Sequence, residues 1–409
     1  LNLLLRGPKN KNLNTQLNIT GSKSETNRLL LLQAIYPNLS LQNLSVSDDG
    51  EAMAKGLGIE SGTVDIHHAG TAMRFLTAFF ASQEGKQIIL TGSKRMQERP
   101  IKVLVDALIQ LGAEIDYVEN DGFPPIKIVG KNLSKKKVSL PANISSQYIS
   151  ALLLIAPSLQ SGLELELIGK ITSVPYIKMT LALLDRIGVS SQFSGNSIKV
   201  LPCKSVKDLS ITVESDWSSA SYFYSLIAMS DVGSSICLSS YKIDSLQGDS
   251  ILTELYTFFG VETEFKDDLL YIRKKKSPEK ESFSYDLTNA PDLAQTVAAT
   301  CFGLGMSCNL IGLHTLKIKE TDRLVAMENE LTKLGAKVSI TDFSLTLAPS
   351  KINSEEVSIN TYNDHRMAMA FAPLALLRPL KINDAEVVSK SYPNFWKDFQ
   401  QIGFITKEV

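Results

Sequence analysis

The sequence predicts a two-domain protein of mixed α/β class, built from repeats of one supersecondary unit. Three observations carry this. The chain has 409 residues, well beyond the roughly 150 of a typical single domain. An amphipathic helical run ending in hydrophobic-Gly-hydrophobic recurs along its length. Between the recurrences lie short alternating strand-like runs, which suit mixed sheets with one buried face better than a fully parallel sheet.

With 44% of residues hydrophobic and 21% charged, the chain can bury a sizeable core, which excludes wholesale disorder. Lys plus Arg number 42 against 43 Asp plus Glu. That balance argues against a nucleic acid or an acidic membrane as main partner, since both favour a basic excess. Cys203, Cys237, Cys301 and Cys308 form no CxxC pair and read as small apolar thiols of a reducing compartment. The opening LNLLLRGPKN holds only a short near-apolar run before Arg6, less than a signal peptide's apolar region. Apolar stretches such as those from Ala151 and Val297 fall short of the roughly 20 residues of a membrane span. A soluble, cytoplasmic, monomeric protein is expected.

The recurring helical run occupies 101–115, 177–191, 251–265, 323–338 and, shorter, 394–406, with a degenerate copy around Gly58. Each good copy predicts a helix stopped by a left-handed glycine (Gly112, Gly188, Gly260, Gly335 or Gly403) and followed by an extended segment. Counting Gly58, the glycines stand about 54 to 76 residues apart, too far for solenoid repeats and suited to a small unit of several strands and helices. Strands are predicted at SLQNLSV, KQIILTG, PIKIVG, LELELIG, SIKVLP, SSICLSS, LLYIRK, KVSITD and SLTLAP. The charge run RKKKSPEKES, 273–282, reads as a solvated loop.

Charged and hydroxyl side chains gather at helix starts. In GSKSETNR, 21–28, Ser22 and Glu25 form a capping-box pattern ahead of LLLLQAI. Lys23 and Ser24 then lie in the first turn, with Arg28 one turn above Ser24. A basic residue there opposes the helix dipole, a conflict that points to an absent anion. A nucleotide P-loop does not fit, because Gln16 stands where its first Gly is required. In HHAGTAMRFL, Gly70 and Thr71 open another helix, and Gly lets a ligand approach the backbone. Arg95 follows in a loop after a strand, and Arg99-Pro100 launches the next helix. Ser145, Ser146 and Gln147 precede an apolar helix, as N-caps or as phosphate ligands, and Ser173 and Tyr176 precede another.

In IKETDRL, Lys319, Glu320 and Arg323 crowd one helix start. A solvated face would also explain them, but two cations at i,i+4 repel unless an anion or Glu320 bridges them. In NDHRMAMAF, Asp364, His365 and Arg366 open an almost wholly apolar helix, which favours a buried functional end. Lys390 lies in VSKSYPNF and Asp292 in NAPDLAQT. If the repeats follow pseudo-symmetric axes, these helix starts converge on one polyanionic pocket lined by Arg forks and backbone N–H groups. Asp292 and Glu320 would be its proton movers. His67, His68, His314 and His365 show no metal-ligand spacing, and no metal is expected.

GSKSETNR, AGTAMR, RMQERPI, SSQY, SVPY, QGD, KETDR, NDHRMAM and SYPNF occur in this order. In that series the chain resembles, over nearly its full length, the 3-phosphoshikimate 1-carboxyvinyltransferase (5-enolpyruvylshikimate-3-phosphate synthase) family. The resemblance implies a two-domain inside-out α/β barrel, each domain built of three βαβαββ units with helices inside and sheets outside. It places the crossovers near Gly21 and Gln247, so that 1–20 plus 247–409 form one domain and 21–246 the other, closing over the substrates. The implied reaction transfers the enolpyruvyl group of phosphoenolpyruvate to the 5-hydroxyl of shikimate 3-phosphate through a tetrahedral ketal, releasing phosphate. Lys23, Ser24, Arg28, Ser145, Ser146, Gln147, Ser173, Tyr176, Asp292, Thr315 and Lys319 are implied ligands of shikimate 3-phosphate. Lys23, Gly70, Arg95, Gln147, Arg323, Arg366 and Lys390 are implied around phosphoenolpyruvate. Asp292 is the implied base, and Glu320, assisted by Lys23, the implied proton donor, with no cofactor implied.

The chain departs from the family pattern at His68 and Thr315, where Asn is usual, and at Phe75, where Pro is usual. The last is expected to shift a helix and alter sensitivity to glyphosate-type inhibitors. The helix around Gly58 is shortened. The related transferase acting on UDP-N-acetylglucosamine would carry a Cys in 92–100 and Lys-Asn at the first motif; here there is no such Cys, and the pair is Lys23-Ser24. A non-catalytic anion-binding relative would have lost Asp292 or Glu320, and both are present. An RNA-terminal-phosphate cyclase would need a nucleotide-attaching His, whereas His365 lies in NDHR.

Overall fold

The computed structural model describes residues 1–143, 145–353 and 356–409. They form two compact units, Leu1–Thr20 with Glu214–Val409, and Gly21–Val213. The second crossover therefore lies at Val213/Glu214 and not near Gln247. Strand pairing explains the difference. Ser235–Ser239 runs parallel to Asn14–Leu17 and antiparallel to Leu269–Lys274. Helix Trp217–Met229 is buried along its whole length in the same core as Phe259, Leu293 and Phe395. Residues 214–246 thus bury their apolar surface with the C-terminal segment.

The repeat is visible as a sheet. In the unit Gly21–Val213, strand Ser61–Asp65, helix Gly70–Ala81, strand Gln87–Thr91, helix Lys102–Leu111 and strands Glu114–Tyr117 and Ile126–Val129 follow in βαβαββ order. The first two strands are parallel, and the hairpin returns antiparallel onto the second. The same pattern holds from Lys137–Pro141 to Ser197–Val200. In the other unit it runs from Ser282–Asp286 to Ser344–Ala348. Two further four-stranded sheets there borrow Leu3–Arg6 and Asn14–Leu17 from the chain's start.

The sixth sheet has two strands, Leu39–Gln42 and Leu209–Thr212. It is the degenerate copy. Helix Asp48–Leu57 ends at Gly58 with φ −81°, right-handed, whereas Gly112, Gly260, Gly335 and Gly403 all have positive φ, such as 107° at Gly112. Without the left-handed reversal the chain runs directly into the next sheet, and no hairpin is added.

Within each unit the helices are central. Gly70–Ala81 and Trp217–Met229 are buried on every side, while strands such as Gln87–Thr91 alternate exposed and buried residues. A fully buried helix cannot be amphipathic, which is why these apolar runs lack a polar face. No helix among the described residues is long and apolar enough to cross a membrane.

Several local expectations change. Arg95 lies in a one-turn helix, Lys94–Gln97, and not in a loop. Pro100 precedes the helix Lys102–Leu111 and its cap Ile101, so it is not the first helical residue. The charge run at 273–282 is not wholly solvated. Lys274 is 4% exposed and its Nζ donates to the Ala228 and Phe259 carbonyls at 2.6 and 2.7 Å, closing the carbonyl end of the helix Trp217–Met229.

Candidate active site

The sequence-predicted residues divide between the two units. In Gly21–Val213, Ser22 caps the helix Lys23–Ile35, its Oγ accepting from Glu25 N at 3.5 Å. Lys23 is the first helical residue, and its Nζ lies 3.4 Å from Asp49 Oδ2. Arg28, one turn on, is 3% exposed. Its Nε donates to Thr180 Oγ1 (2.8 Å), its Nη1 to Ser24 O (2.7 Å) and its Nη2 to Ser150 Oγ (3.0 Å) and Tyr176 O (3.4 Å).

Every one of these acceptors is neutral, and none of the described ion pairs involves Arg28. Burial lowers its guanidinium to about 10. A cation buried among neutral oxygens is electrostatically costly unless an anion completes the set. The ring of Phe75 lies beneath it, 5.4 Å from centroid to guanidinium carbon, a cation–π contact that Pro at this position could not make. The Phe75 departure therefore supports Arg28.

Helix Ser146–Ile155 is capped by Ser145, whose Oγ accepts from Gln147 N at 3.4 Å. Gln147 Nε2 donates to Thr71 Oγ1 at 3.2 Å, tying this helix to Gly70–Ala81. Ser146 is buried in its first turn. Ser173, at φ +53°, turns the chain into Val174–Arg186, which carries Tyr176 and Thr180. Arg28 thus ties its own helix to two others through Ser150, Tyr176 and Thr180. Helix Gly70–Ala81 has no side-chain cap. A Cβ at Gly70 would lie 2.5 Å from Arg99 Nη1, so glycine is what admits that guanidinium to the helix start. Before it, His67 Nδ1 and His68 Nδ1 are 2.6 Å apart, and His68 Nε2 lies 3.6 Å from Asp48 Oδ2. Arg95, half exposed, pairs with Glu98 at 3.2 Å.

In the other unit, the helix near Thr321 begins only at Arg323, capped by Asp322. Lys319 and Glu320 precede it, so the helical i,i+4 relation expected for Lys319 and Arg323 does not exist. Tertiary contacts gather them instead. Arg323, 1% exposed, donates from Nε to Asp364 Oδ2 (2.6 Å), from Nη1 to Asp292 Oδ1 (2.8 Å) and from Nη2 to Glu320 Oε2 (2.8 Å). Asp292 also meets Arg366 Nη2 (3.0 Å) and Lys319 Nζ (3.5 Å). Burial alone would raise Asp292, but Arg366, Lys319 and Arg323 hold it well below the usual carboxylate range. Burial outweighs Asp292 at Lys319 and lowers its ammonium. Asp364 caps helix His365–Phe371, and Lys390 Nζ donates to the carbonyl of Asn363 just before it. Tyr362 and Asn363 are both left-handed, at φ 54° and 55°, a backbone reversal that aims that carbonyl. The Thr315 hydroxyl is buried without a hydrogen-bond partner among the described residues.

The partners that residue patterns missed are Asp49, Arg99, Ser150, Thr180, Ser218 and Asp249. Ser150 and Thr180 carried one usable signal, a hydroxyl inside an otherwise apolar helical run. Chemically, the first cluster offers a buried cation whose hydrogen-bond acceptors are all neutral, with the Glu25 carboxylate acting on it only coulombically, and several hydroxyl donors. The second offers cations already matched by carboxylates. Among the described residues no group of three or more His, Cys, Asp or Glu is placed to hold a metal ion.

Known proteins resemble the chain in both sequence and fold. The sequence pattern of the EPSP synthase (3-phosphoshikimate 1-carboxyvinyltransferase) family matches residues 58–399. A 3-phosphoshikimate 1-carboxyvinyltransferase of Bacteroides fragilis is 43% identical over 392 residues, 95% of each chain. One from Haemophilus influenzae is 35% identical over 425 aligned positions, covering 94% of this chain and 96% of that one. In structure, EPSP synthase from Acinetobacter baumannii covers 100% of both chains with a TM-score of 0.79 at 20% identity.

Proposed function

The chain belongs to the EPSP synthase family, and on that premise we propose how its residues share the reaction. It transfers the enolpyruvyl group of phosphoenolpyruvate to shikimate 3-phosphate, releasing phosphate, in aromatic amino-acid biosynthesis. In our reading Lys23, Ser24, Arg28, Ser145, Ser146, Gln147, Ser173, Tyr176, Asp292, Thr315 and Lys319 bind shikimate 3-phosphate. Lys23, Gly70, Arg95, Gln147, Arg323, Arg366 and Lys390 bind phosphoenolpyruvate. Asp292 takes the proton of the 5-hydroxyl, and Glu320 with Lys23 protonates the methylene carbon. The observation that carries this is Arg28, buried among neutral acceptors only.

The charges are compatible. Each phosphate monoester brings about −1.5 to −2 at neutral pH, which Lys23, Arg28, Arg95, Lys319, Arg323, Arg366 and Lys390 would offset. Asp292 illustrates the consequence. Three cations depress its proton affinity, so on their account alone it is a weak base. Anions drawn to Lys319, Arg323 and Arg366 would share those cations, and the proton affinity of Asp292 would rise as the hydroxyl arrives. Orientation and placed charge then supply the remaining acceleration.

A phosphate-release assay tests the assignment. Release should require both shikimate 3-phosphate and phosphoenolpyruvate, and UDP-N-acetylglucosamine should not replace the former. Turnover with the nucleotide sugar would defeat it. Arg28→Ala should weaken shikimate 3-phosphate binding by about 10- to 100-fold, the loss of charge-assisted hydrogen bonds, and unchanged affinity by calorimetry would remove Arg28 from the site. The same reading has the protein act in the cytoplasm as a monomer; light scattering should give the mass of one chain, and a multiple of it would contradict this.

A further inference from the structure

Asp249 is a buried carboxylic acid that the proposed proton transfers leave unused. It lies in the turn Gly248–Ile251, 4% exposed, and its Oδ1 has no hydrogen-bond partner among the described residues. Its Oδ2 accepts from Ser218 Oγ at 2.5 Å. A hydroxyl has one proton, so with that proton directed at Asp249 Oδ2 the lone pairs of Ser218 are left for a donor. The donor is Arg366, whose Nη2 reaches Ser218 Oγ at 3.2 Å and Asp292 Oδ2 at 3.0 Å. Ser218 stands in the first turn of Trp217–Met229, whose start is held by Asp216 accepting from both Ser219 N and Ser219 Oγ at 2.8 Å. The hydroxyl is therefore carried on a rigid element.

We propose that Ser218 and Asp249 form a positioning relay that orients the Arg366 guanidinium for phosphoenolpyruvate, and that protonation of Asp249 slackens it. The inference rests on the reading of Arg366 as a phosphoenolpyruvate ligand. The charged groups facing Asp249 are Asp292 in the turn Pro291–Leu293, Asp216 at the helix cap and Arg366 on His365–Phe371. Burial first, then Asp292, raises its carboxyl to about 6, against the opposing pull of Arg366 and the Ser218 hydrogen bond. Once Asp249 is protonated it no longer holds the Ser218 proton, which can turn toward Arg366 and set donor against donor.

The test is KM for phosphoenolpyruvate, from about pH 5 to about pH 8, in the wild type, Ser218→Ala and Asp249→Asn. Ser218→Ala should raise it about tenfold, the loss of one hydrogen bond to a charged group, with KM for shikimate 3-phosphate unchanged. Asp249→Asn keeps an acceptor but cannot titrate. The wild-type KM should therefore rise relative to that of Asp249→Asn below about pH 6. The ratio of the two cancels the ionisation of the substrate's own phosphate, which also lies near 6. A carboxyl raised by folding loses stability as pH rises from about 4 to about 6, so Asp249→Asn should melt no lower than the wild type at neutral pH. A pH-independent ratio, a lowered Tm in Asp249→Asn, or an equal rise of both KM values in Ser218→Ala overturns the relay. Arg366→Ala separates the two readings. If it leaves KM for phosphoenolpyruvate unchanged, the ligand assignment has failed; if it raises KM and Ser218→Ala does not, only the relay has.

Discussion

Replacing Lys23 with Met is expected to lower turnover by about 10²- to 10⁴-fold, the contribution typical of a placed proton-transfer group, while the protein stays folded. Met keeps the length and apolar stem of the side chain and removes the ammonium. The helix start does not depend on that charge, because Ser22 Oγ accepts from Glu25 N. The ion pair with Asp49 at 3.4 Å is lost, but a cation in the first turn was already unfavourable to the helix dipole. The purified variant should melt close to the wild type and release almost no phosphate. Glu320→Ala should behave alike in turnover. Near-normal release from either variant would remove that residue from the chemistry.

The second large effect falls on stability. Arg323→Leu should destabilise the protein by about 3–5 kcal/mol, as expected when one member of a buried ion-paired set is deleted. Asp364 is fully buried, while Asp292 and Glu320 have side chains 13% and 21% exposed, so Asp364 bears most of the penalty. Arg323 lies in the unit 1–20 and 214–409, a size at which 1 kcal/mol shifts Tm by about 2–4 °C, so the Tm of that unit should fall by roughly 10 °C, with activity lost as well. The pH dependence has a definite sign. Asp292 is depressed on folding, so its contribution is complete above its unfolded value of about 4 and is lost as pH falls toward the depressed one. Removing one of its three cations should weaken that acid sensitivity. An unchanged Tm and acid profile in Arg323→Leu would show that the cluster contributes little.

Much of this was legible along the chain because the repeat writes itself locally. A left-handed glycine after an amphipathic run, as at Gly112 or Gly403, needs only its neighbours to specify it. The capping pattern of Ser22 with Glu25 is equally local, and so are the alternating strands. The degenerate copy at Gly58 was visible as a weak match, but not its outcome, a sheet reduced to two strands. Helical spacing does not relate Lys319 to Arg323, because the helix starts only at Arg323. The second crossover is not written locally either, because the strand Ser235–Ser239 finds its parallel partner at Asn14–Leu17, more than 200 positions earlier.

The repeated unit, its capped helices and the polar side chains at helix starts are specified along the chain, since they depend on interactions within a few residues. Which charges are matched is settled by folding alone. Arg28 meets Thr180 and Ser150 across 152 and 122 residues, and Arg323 meets Asp292 and Asp364 across 31 and 41. Coulombic and hydrogen-bond terms act through space at a few ångströms, and residue order does not encode that distance until the chain has folded. One cation is therefore left among neutral oxygens and the other among carboxylates, although both are arginines near helix starts in the sequence.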